Sequence, residues 1–374
     1  MLPPARLAAL LRAALDVPVA IAEVEHIEPW AVCRVRLDGH GGTGIRSVVV
    51  KWLRDHPAGF RTDPRQVANE RAALEFVADL GLDLAPRLLG ADPAAEVLVL
   101  EDLSPRIALD SLIRRDGLTR AQEHLAAFAH ATGTLNAATA GRAPRFDALR
   151  ARYGGFAPAT DRRDVLGPNW PTTRRLLDEL GGGMSGAEES DLALLRRTLE
   201  TPGPFTSLTN GDPESNNFLV DPDHPRTGRI IDFEFAGYRH AATSATWIHV
   251  PGPGWLTVAN PEAVKLEQIY RNALSNGVRE ALDDRQFGLG MGAACLAMAF
   301  GRSNRLPVLD ARAPGDPSRP QLISTLESAA DAAASHRTLP RLVGWTRRVA
   351  DLLRKRWSDA DVDFRAYPGY TVRG

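Results

Sequence analysis

The sequence predicts an α+β fold with two lobes, a small β-rich N-lobe over residues 1–103 and a larger helical C-lobe over residues 104–374. Three observations predict it. Runs rich in β-branched residues, WAVCRVRL at 30–37, IRSVVVKWL at 45–53 and VLVLEDL at 97–103, crowd the first quarter of the chain. After about residue 104, apolar residues recur at helical spacing in one stretch after another. At 374 residues the chain is long enough for a two-lobed molecule with a sizeable core.

Composition narrows the function classes. The formal net charge is −1 and no basic tract is present, so neither nucleic acid nor an anionic membrane is an implied partner. Cys33 and Cys295 lie far apart and offer neither a disulfide framework nor a metal cluster, which fits a reducing, cytoplasmic setting. Arg6 and Arg12 interrupt the apolar N-terminus, which reads as an amphipathic helix and not as a signal peptide. No apolar run approaches the length of a membrane span. Oligomeric state is not readable.

Taken in order, residues 5–15 read as a helix and 30–37 with 45–53 as a hairpin around the glycine-rich turn DGHGGTG at 38–44. Those glycines do not match a phosphate-binding Walker pattern, and no helix follows them. Residues 65–80 read as a helix with a charged outer face, carrying Glu70 and Glu75, and Gly81 caps it. The run 97–103 is a buried strand ending in acids. Helices are expected at 107–115 and 119–139; His124 and His130 on the second have no partner at metal-ligand spacing. Residues 141–170, rich in Arg, Pro and Gly, read as a long ordered loop, followed by helices at 171–180 and 187–200.

The densest chemistry lies in residues 208–235, where LTNGDPESNNFLV is followed, after a short gap, by RIIDFEF. Phe218, Leu219 and Val220 form one strand, Asp221, Pro222, Asp223, Pro225 and Gly228 a turn, and Arg229, Ile230 and Ile231 a second strand ending at Asp232. Such a hairpin brings the loop before its first strand beside the end of its second. Asp212, Asn217 and Asp232 then converge on one small volume. A carboxylate to accept a hydroxyl proton, with an amide oxygen and a second carboxylate for a hard cation, is what phosphoryl transfer requires. Singly, each is an ordinary turn or strand-end residue. Downstream, residues 241–250 start a helix, further helices occupy 261–276, 284–300, 320–336 and 340–357, and 301–319 is a polar loop.

Asp212, Asn217 and Ile231-Asp232-Phe233-Glu234 together resemble the aminoglycoside phosphotransferase family, including its choline-kinase-like and ecdysteroid-kinase-like relatives. The resemblance implies a protein-kinase-like fold and transfer of a phosphoryl group from ATP or GTP, with Mg2+, to the hydroxyl of a small molecule. Antibiotics, sugars, amino alcohols and specialised metabolites all remain open as acceptors. It implies that Asp212 orients and deprotonates that hydroxyl, that Asn217 and Asp232 hold the magnesium, and that Lys51, steadied by Glu70 with Glu75 as competitor, clamps the α- and β-phosphates. Backbone groups around Glu101 to Leu103 would meet the adenine, and Glu234 would support the metal or meet substrate. Three departures from the pattern stand out: no glycine in HIEPW before the first strand, Asn210 where the family has His, and Ser244-Ala245-Thr246 where it has Asp-Leu-Ala. A nucleotide-binding protein without transfer is the alternative reading. A protein kinase is a third, disfavoured because no Ala-Pro-Glu follows the motif.

Overall fold

The computed structural model describes residues 3–28, 31–38, 44–52, 63–251 and 262–360. Most of the glycine-rich turn and the end of HIEPW therefore lie outside the described residues.

The N-terminal part carries α1 (Pro4–Leu15), β1 (Ala20–Glu28), β2 (Val32–Asp38), β3 (Ser47–Trp52), α2 (Pro64–Asp79), β4 (Leu88–Asp92) and β5 (Val97–Glu101). Its five strands form one antiparallel sheet in the order β1-β2-β3-β5-β4. Side chains alternate between the faces of a strand. Val48 and Val50 of β3 and Val97 and Val99 of β5 pack with Leu7, Leu10 and Leu11 of α1. Val49, Leu98 and Leu100 point the other way, into the cluster that holds Ala73, Leu74 and Val77 of α2. Lys51 shares the parity of Val49, so β3 delivers its ammonium to the α2 side.

The remainder is mostly helical. In chain order it carries β6 (Ile107–Ala108), α3 (Leu109–Asp116), α4 (Gln122–Thr139), α5 (Ala143–Tyr153), α6 (Trp170–Glu179), α7 (Gly186–Glu200), β7 (Thr206–Thr209), β8 (Phe218–Asp221), β9 (His224–Ile230), β10 (Gly237–His240), α8 (Glu262–Ser275), α9 (Asp284–Ser303), α10 (Leu306–Asp310), α11 (Ser318–Ser335) and α12 (Pro340–Arg356). The fold is thus α+β, β-rich first and helical after, as the sequence predicts. Among the described residues no helix is long and apolar enough to cross a membrane.

Helix α4 is the post on which the motif region hangs. Its Phe128 stacks on Phe218 of β8 at 4.7 Å and on Trp247 at 4.6 Å between ring centroids. Its Asn136 donates to the Leu208 carbonyl at 2.8 Å, and its Thr139 hydroxyl accepts from the Leu208 N–H at 3.0 Å. Both bonds are buried, where an unmade partner is expensive, so β7 is pinned in place. β10 pairs antiparallel with β7, setting Thr209 opposite Gly237. The whole segment between them, 210 to 236, is therefore a loop closed at its base.

The structure departs from the sequence reading in several places. α5 falls inside the stretch 141–170 read as a loop, and α10 inside 301–319. Residues 241–250 form two short 3-10 turns, Ala241–Ser244 and Thr246–Ile248, and not the start of a helix. Residues 107 and 108 pair with β8 before α3 begins. β1 and β4 have no counterpart in the sequence reading. The second strand of the hairpin ends at Ile230 and not at Asp232, because Asp232 adopts a positive φ of 62° that no extended strand accommodates.

Candidate active site

The loop after β7 is built around Gly211 and two asparagines. Gly211 has φ +88°, and a Cβ there would lie 2.2 Å from the Phe235 carbonyl oxygen, so only glycine lets the two backbones approach. Asn210 is buried and donates to the Asp212 carbonyl at 2.9 Å and, more weakly, to the Ile231 carbonyl at 3.5 Å. Asn217 donates to the Asp212 carbonyl and to its carboxylate Oδ2, both at 3.0 Å. The Ile231 N–H donates to the Asn217 carbonyl at 2.9 Å. Asp212, Asn217 and Ile231, the residue just past β9, are thus one bonded unit, and the amide nitrogen of Asn217 is committed to Asp212. Its oxygen accepts from Asn216 at 3.0 Å and retains a second lone pair.

Lys51 sits a short chain step away, beyond Ile231. Its Nζ lies 2.6 Å from Glu70 Oε2, 2.5 Å from Asp232 Oδ1 and 3.2 Å from Glu234 Oε2. Burial alone would lower the lysine pKa, but the carboxylates of Asp232, Glu70 and Glu234 together hold it above its ordinary value. Burial raises the Glu70 pKa, and the like charge of Asp232 adds to that, against the pull of Lys51. The competitor, Glu75, is engaged elsewhere, with Arg71 at 3.1 Å and the Tyr153 hydroxyl at 2.6 Å. Helix α2 holds both ends of this arrangement. An Asp63–Gln66 capping box starts it, Glu70 accepts from the Phe233 N–H at 3.4 Å, and buried Asn69 donates to the carbonyls of Glu234 at 3.1 Å and Ala236 at 2.8 Å. The positive φ of Asp232 turns its carboxylate back toward Lys51, a local strain of ~1–3 kcal/mol that such sites commonly carry.

One ammonium thus faces three carboxylates in a buried place. The carboxylate oxygens of Glu70, Asp232 and Glu234 lie within 4.8 Å of one another, near enough to share a cation. Hard oxygen donors of this kind suit Mg2+.

Glu101 and Leu103 lie at the end of β5 and just beyond it. The Glu101 carboxylate accepts from the Arg87 N–H at 3.1 Å, and the buried Leu103 carbonyl accepts from the Arg106 N–H at 3.0 Å. Neither side chain is among the partners of Lys51. Ser244 accepts from Asn136 at 3.4 Å, so it touches the α4 post.

Sequence reasoning missed a cavity of about 420 Å3 beside Asp212. Glu214, Arg302, Arg162 and Arg239 help to line it. Glu214 pairs with Arg302 at 2.8 Å; burial and the nearby Asp212 charge push its carboxyl up to about 7 despite Arg302. Glu214 stands two residues after Asp212 and was open to notice. The arginines come from three distant segments, and no spacing joins them.

No curated protein matches the chain significantly. Among solved structures it is similar to the choline kinase LicA from Streptococcus pneumoniae, at 15% identity with 88% of this chain and 99% of that one covered and a TM-score of 0.45. It is also similar to an ethanolamine kinase from Plasmodium vivax, at 11% identity, 83% and 81% coverage and a TM-score of 0.49. A third is an aminoglycoside-3'-phosphotransferase of type VIII, at 20% identity, 76% and 96% coverage and a TM-score of 0.39. The description "Phosphotransferase enzyme family" matches residues 34–259, which is more than half of the chain and contains the Asp212 loop and the Lys51 cluster. The chain belongs to the phosphotransferase enzyme family and is a small-molecule kinase.

Proposed function

We propose that the protein transfers the γ-phosphoryl group of ATP or GTP to a hydroxyl of a small molecule. Residues 1–103 cover the nucleotide and residues 104–374 carry the catalytic loop and the acceptor. Asp212 faces the cavity, holds the acceptor hydroxyl in line and takes its proton as the oxygen–phosphorus bond forms. The bond to the β,γ-bridging oxygen breaks and the nucleoside diphosphate leaves. Lys51 meets the α- and β-phosphates, and Glu70 keeps its ammonium in reach. Asp232 and the amide oxygen of Asn217 hold Mg2+, whose chemistry here is to neutralise charge on the phosphates, and Glu234 supports that site. The backbone from Glu101 to Leu103 pairs with the nucleotide base. Catalysis is then mostly positioning and charge neutralisation.

The observation that carries this reading is the continuity of the two halves. Asp212 is bonded to Asn217, whose carbonyl is bonded to Ile231, and the next residue, Asp232, is bonded to Lys51. Asn210 braces the same loop through the Asp212 carbonyl, which supports turnover and not nucleotide binding alone. An ATP-consumption screen against hydroxylated metabolites and antibiotics, with Asp212→Asn as control, tests it. Acceptor-dependent consumption that vanishes in the variant is expected; consumption unchanged by the substitution refutes the assignment.

A further inference from the structure

The cavity beside Asp212 is rich in charge, and not every charge in it touches one of the opposite sign. Four of its lining side chains are acids. Asp212 is the proposed base. Asp161 is bound by buried Arg150 at 2.7 and 3.0 Å, a guanidinium it shares with Asp147, and also accepts from the Tyr238 N–H at 2.8 Å, so it is engaged from outside the cavity. Glu214 pairs with Arg302. Asp164 is exposed at the rim, next to exposed Arg163. His240 is buried and its pKa is lowered by that burial to about 4, so it adds no positive charge at neutral pH.

Two guanidiniums remain. Arg162 donates to the Tyr238 carbonyl at 3.2 Å. Arg239 uses one nitrogen for the Thr209 hydroxyl at 3.1 Å and the Phe235 carbonyl at 3.0 Å. These partners are neutral oxygens, and among the described residues no carboxylate stands within ion-pair reach of either. Burial lowers the Arg239 pKa, the Asp161 charge opposing it and the like charge of Arg150 adding to it. Both reach the β10 segment, Arg162 at Tyr238 and Arg239 as the next residue. A planar guanidinium with unused N–H groups is a natural partner for an oxyanion.

We propose that the acceptor carries, besides its reacting hydroxyl, an anionic carboxylate or phosphate group that docks on Arg162 and Arg239. The inference rests on the phosphotransfer reading and names its substrate class: hydroxylated acids or phosphate esters, and not polyamines or quaternary amino alcohols. Such a substrate brings an oxyanion to two guanidiniums whose bonds, among the described residues, go to neutral oxygens. A polycation would meet two guanidiniums with no described carboxylate at ion-pair distance and find most of the acids already engaged.

Calorimetric titration of the intact chain, with a magnesium–nonhydrolysable nucleotide present, tests it with four hexose probes: gluconate, glucose 6-phosphate, glucose and glucosamine. At least one anion should bind about tenfold or more tighter than glucose and glucosamine. The two anions separate a carboxylate site from a phosphate site. Arg162→Met and Arg239→Met should each remove that preference, while thermal melts check their folding. Arg162 lies in a loop and holds only a backbone carbonyl, so its variant remains informative if the Arg239 variant fails to fold. Equal or absent binding of all four, tightest binding of glucosamine, or an anion preference that survives Arg162→Met overturns the proposal. A second titration, of the nonhydrolysable nucleotide itself with and without magnesium, separates the two readings. Magnesium-dependent nucleotide binding without anion preference leaves phosphotransfer standing and removes this inference; anion preference without nucleotide binding removes phosphotransfer, and this inference with it.

Discussion

Replacing Glu70 with Gln keeps the side-chain volume and removes one charge from a cluster where one ammonium faces three carboxylates. Burial raises the Glu70 pKa above its ordinary 4.5 and Asp232 adds to the effect, with Lys51 opposing. A group whose folded pKa is raised contributes stability that is fully present below the unfolded value and is lost as pH rises through the folded value. At pH 8 the Glu70 charge therefore costs stability. Gln removes that cost and weakens the 2.6 Å contact with Lys51 without deleting it, since the amide oxygen still accepts. A hydrogen bond to a charged group is worth ~1.5–3 kcal/mol and a neutral one ~0.5–1.5 kcal/mol, so the contact loses about 1 kcal/mol, offset by the relief of repulsion. Unfolding free energy at pH 8 should stay within about 1 kcal/mol of the parent, against the ~3–5 kcal/mol usual when one partner of a buried pair is removed. The variant should also gain on the parent as pH rises from 5 to 8. Turnover should nevertheless fall by about 100-fold, because Lys51 would settle on Asp232 and Glu234, away from the phosphates. Urea unfolding at both pH values and a coupled transfer assay measure the two effects. A loss of 3 kcal/mol or more at pH 8, with no change in pH profile, would refute the reasoning.

Asn210→Ala removes the bond to the Asp212 carbonyl, and turnover should drop while the melting temperature falls only slightly; unchanged turnover would show that Asn210 braces nothing. Gly211→Ala forces a Cβ against the Phe235 carbonyl at positive φ, so activity should be lost and stability reduced by several kcal/mol, roughly the sum of strain and displaced packing; a fully active variant would mean the loop relaxes freely. Glu267 is held down to about 2, against burial, by hydrogen bonds from His249 at 2.6 Å and His336 at 2.9 Å. A depressed folded pKa means stability present above the ordinary value of 4.5 and lost as pH falls toward 2, by about 3 kcal/mol at most. Glu267→Gln should flatten that acid loss in a pH series of denaturant melts, and an unchanged slope would exclude Glu267 as its source.

Much of the fold and most of the motif region were legible because local spacing carried them. The strands at 32–38, 47–52 and 97–101 are alternating or continuous apolar runs with no competing reading. The loop from Asn210 to Asn217 closes on itself through bonds between near neighbours, so its residue types sit close in sequence. What stayed hidden has particular causes. β1 carries register shifts between Ile21 and Glu23 and between His26 and Glu28, which break the two-residue alternation. β4 contains Gly90, which reads as a turn but is needed because Ala14 of α1 packs where a Cβ would stand. α5 was obscured by composition, although Pro144 in its first turn and left-handed Gly154 at its end are the usual start and stop. The 3-10 turns after β10 follow from Ser244 and Trp247 packing on α4, a tertiary contact no window in the sequence displays. The cavity arginines, at 162, 239 and 302, meet only after folding.

The central claim is that Asp212 serves the acceptor and Asp232 serves the metal and nucleotide. The most direct measurement compares Asp212→Asn with Asp232→Asn for magnesium-dependent nucleotide affinity and for transfer to whichever acceptor the screen identifies. Asp212→Asn should bind nucleotide with magnesium nearly as the parent does and transfer ~10²–10⁴-fold more slowly. Asp232→Asn should lose the magnesium-dependent part of nucleotide binding itself. Equal effects of the two substitutions on binding, or parental turnover in Asp212→Asn, would contradict the account.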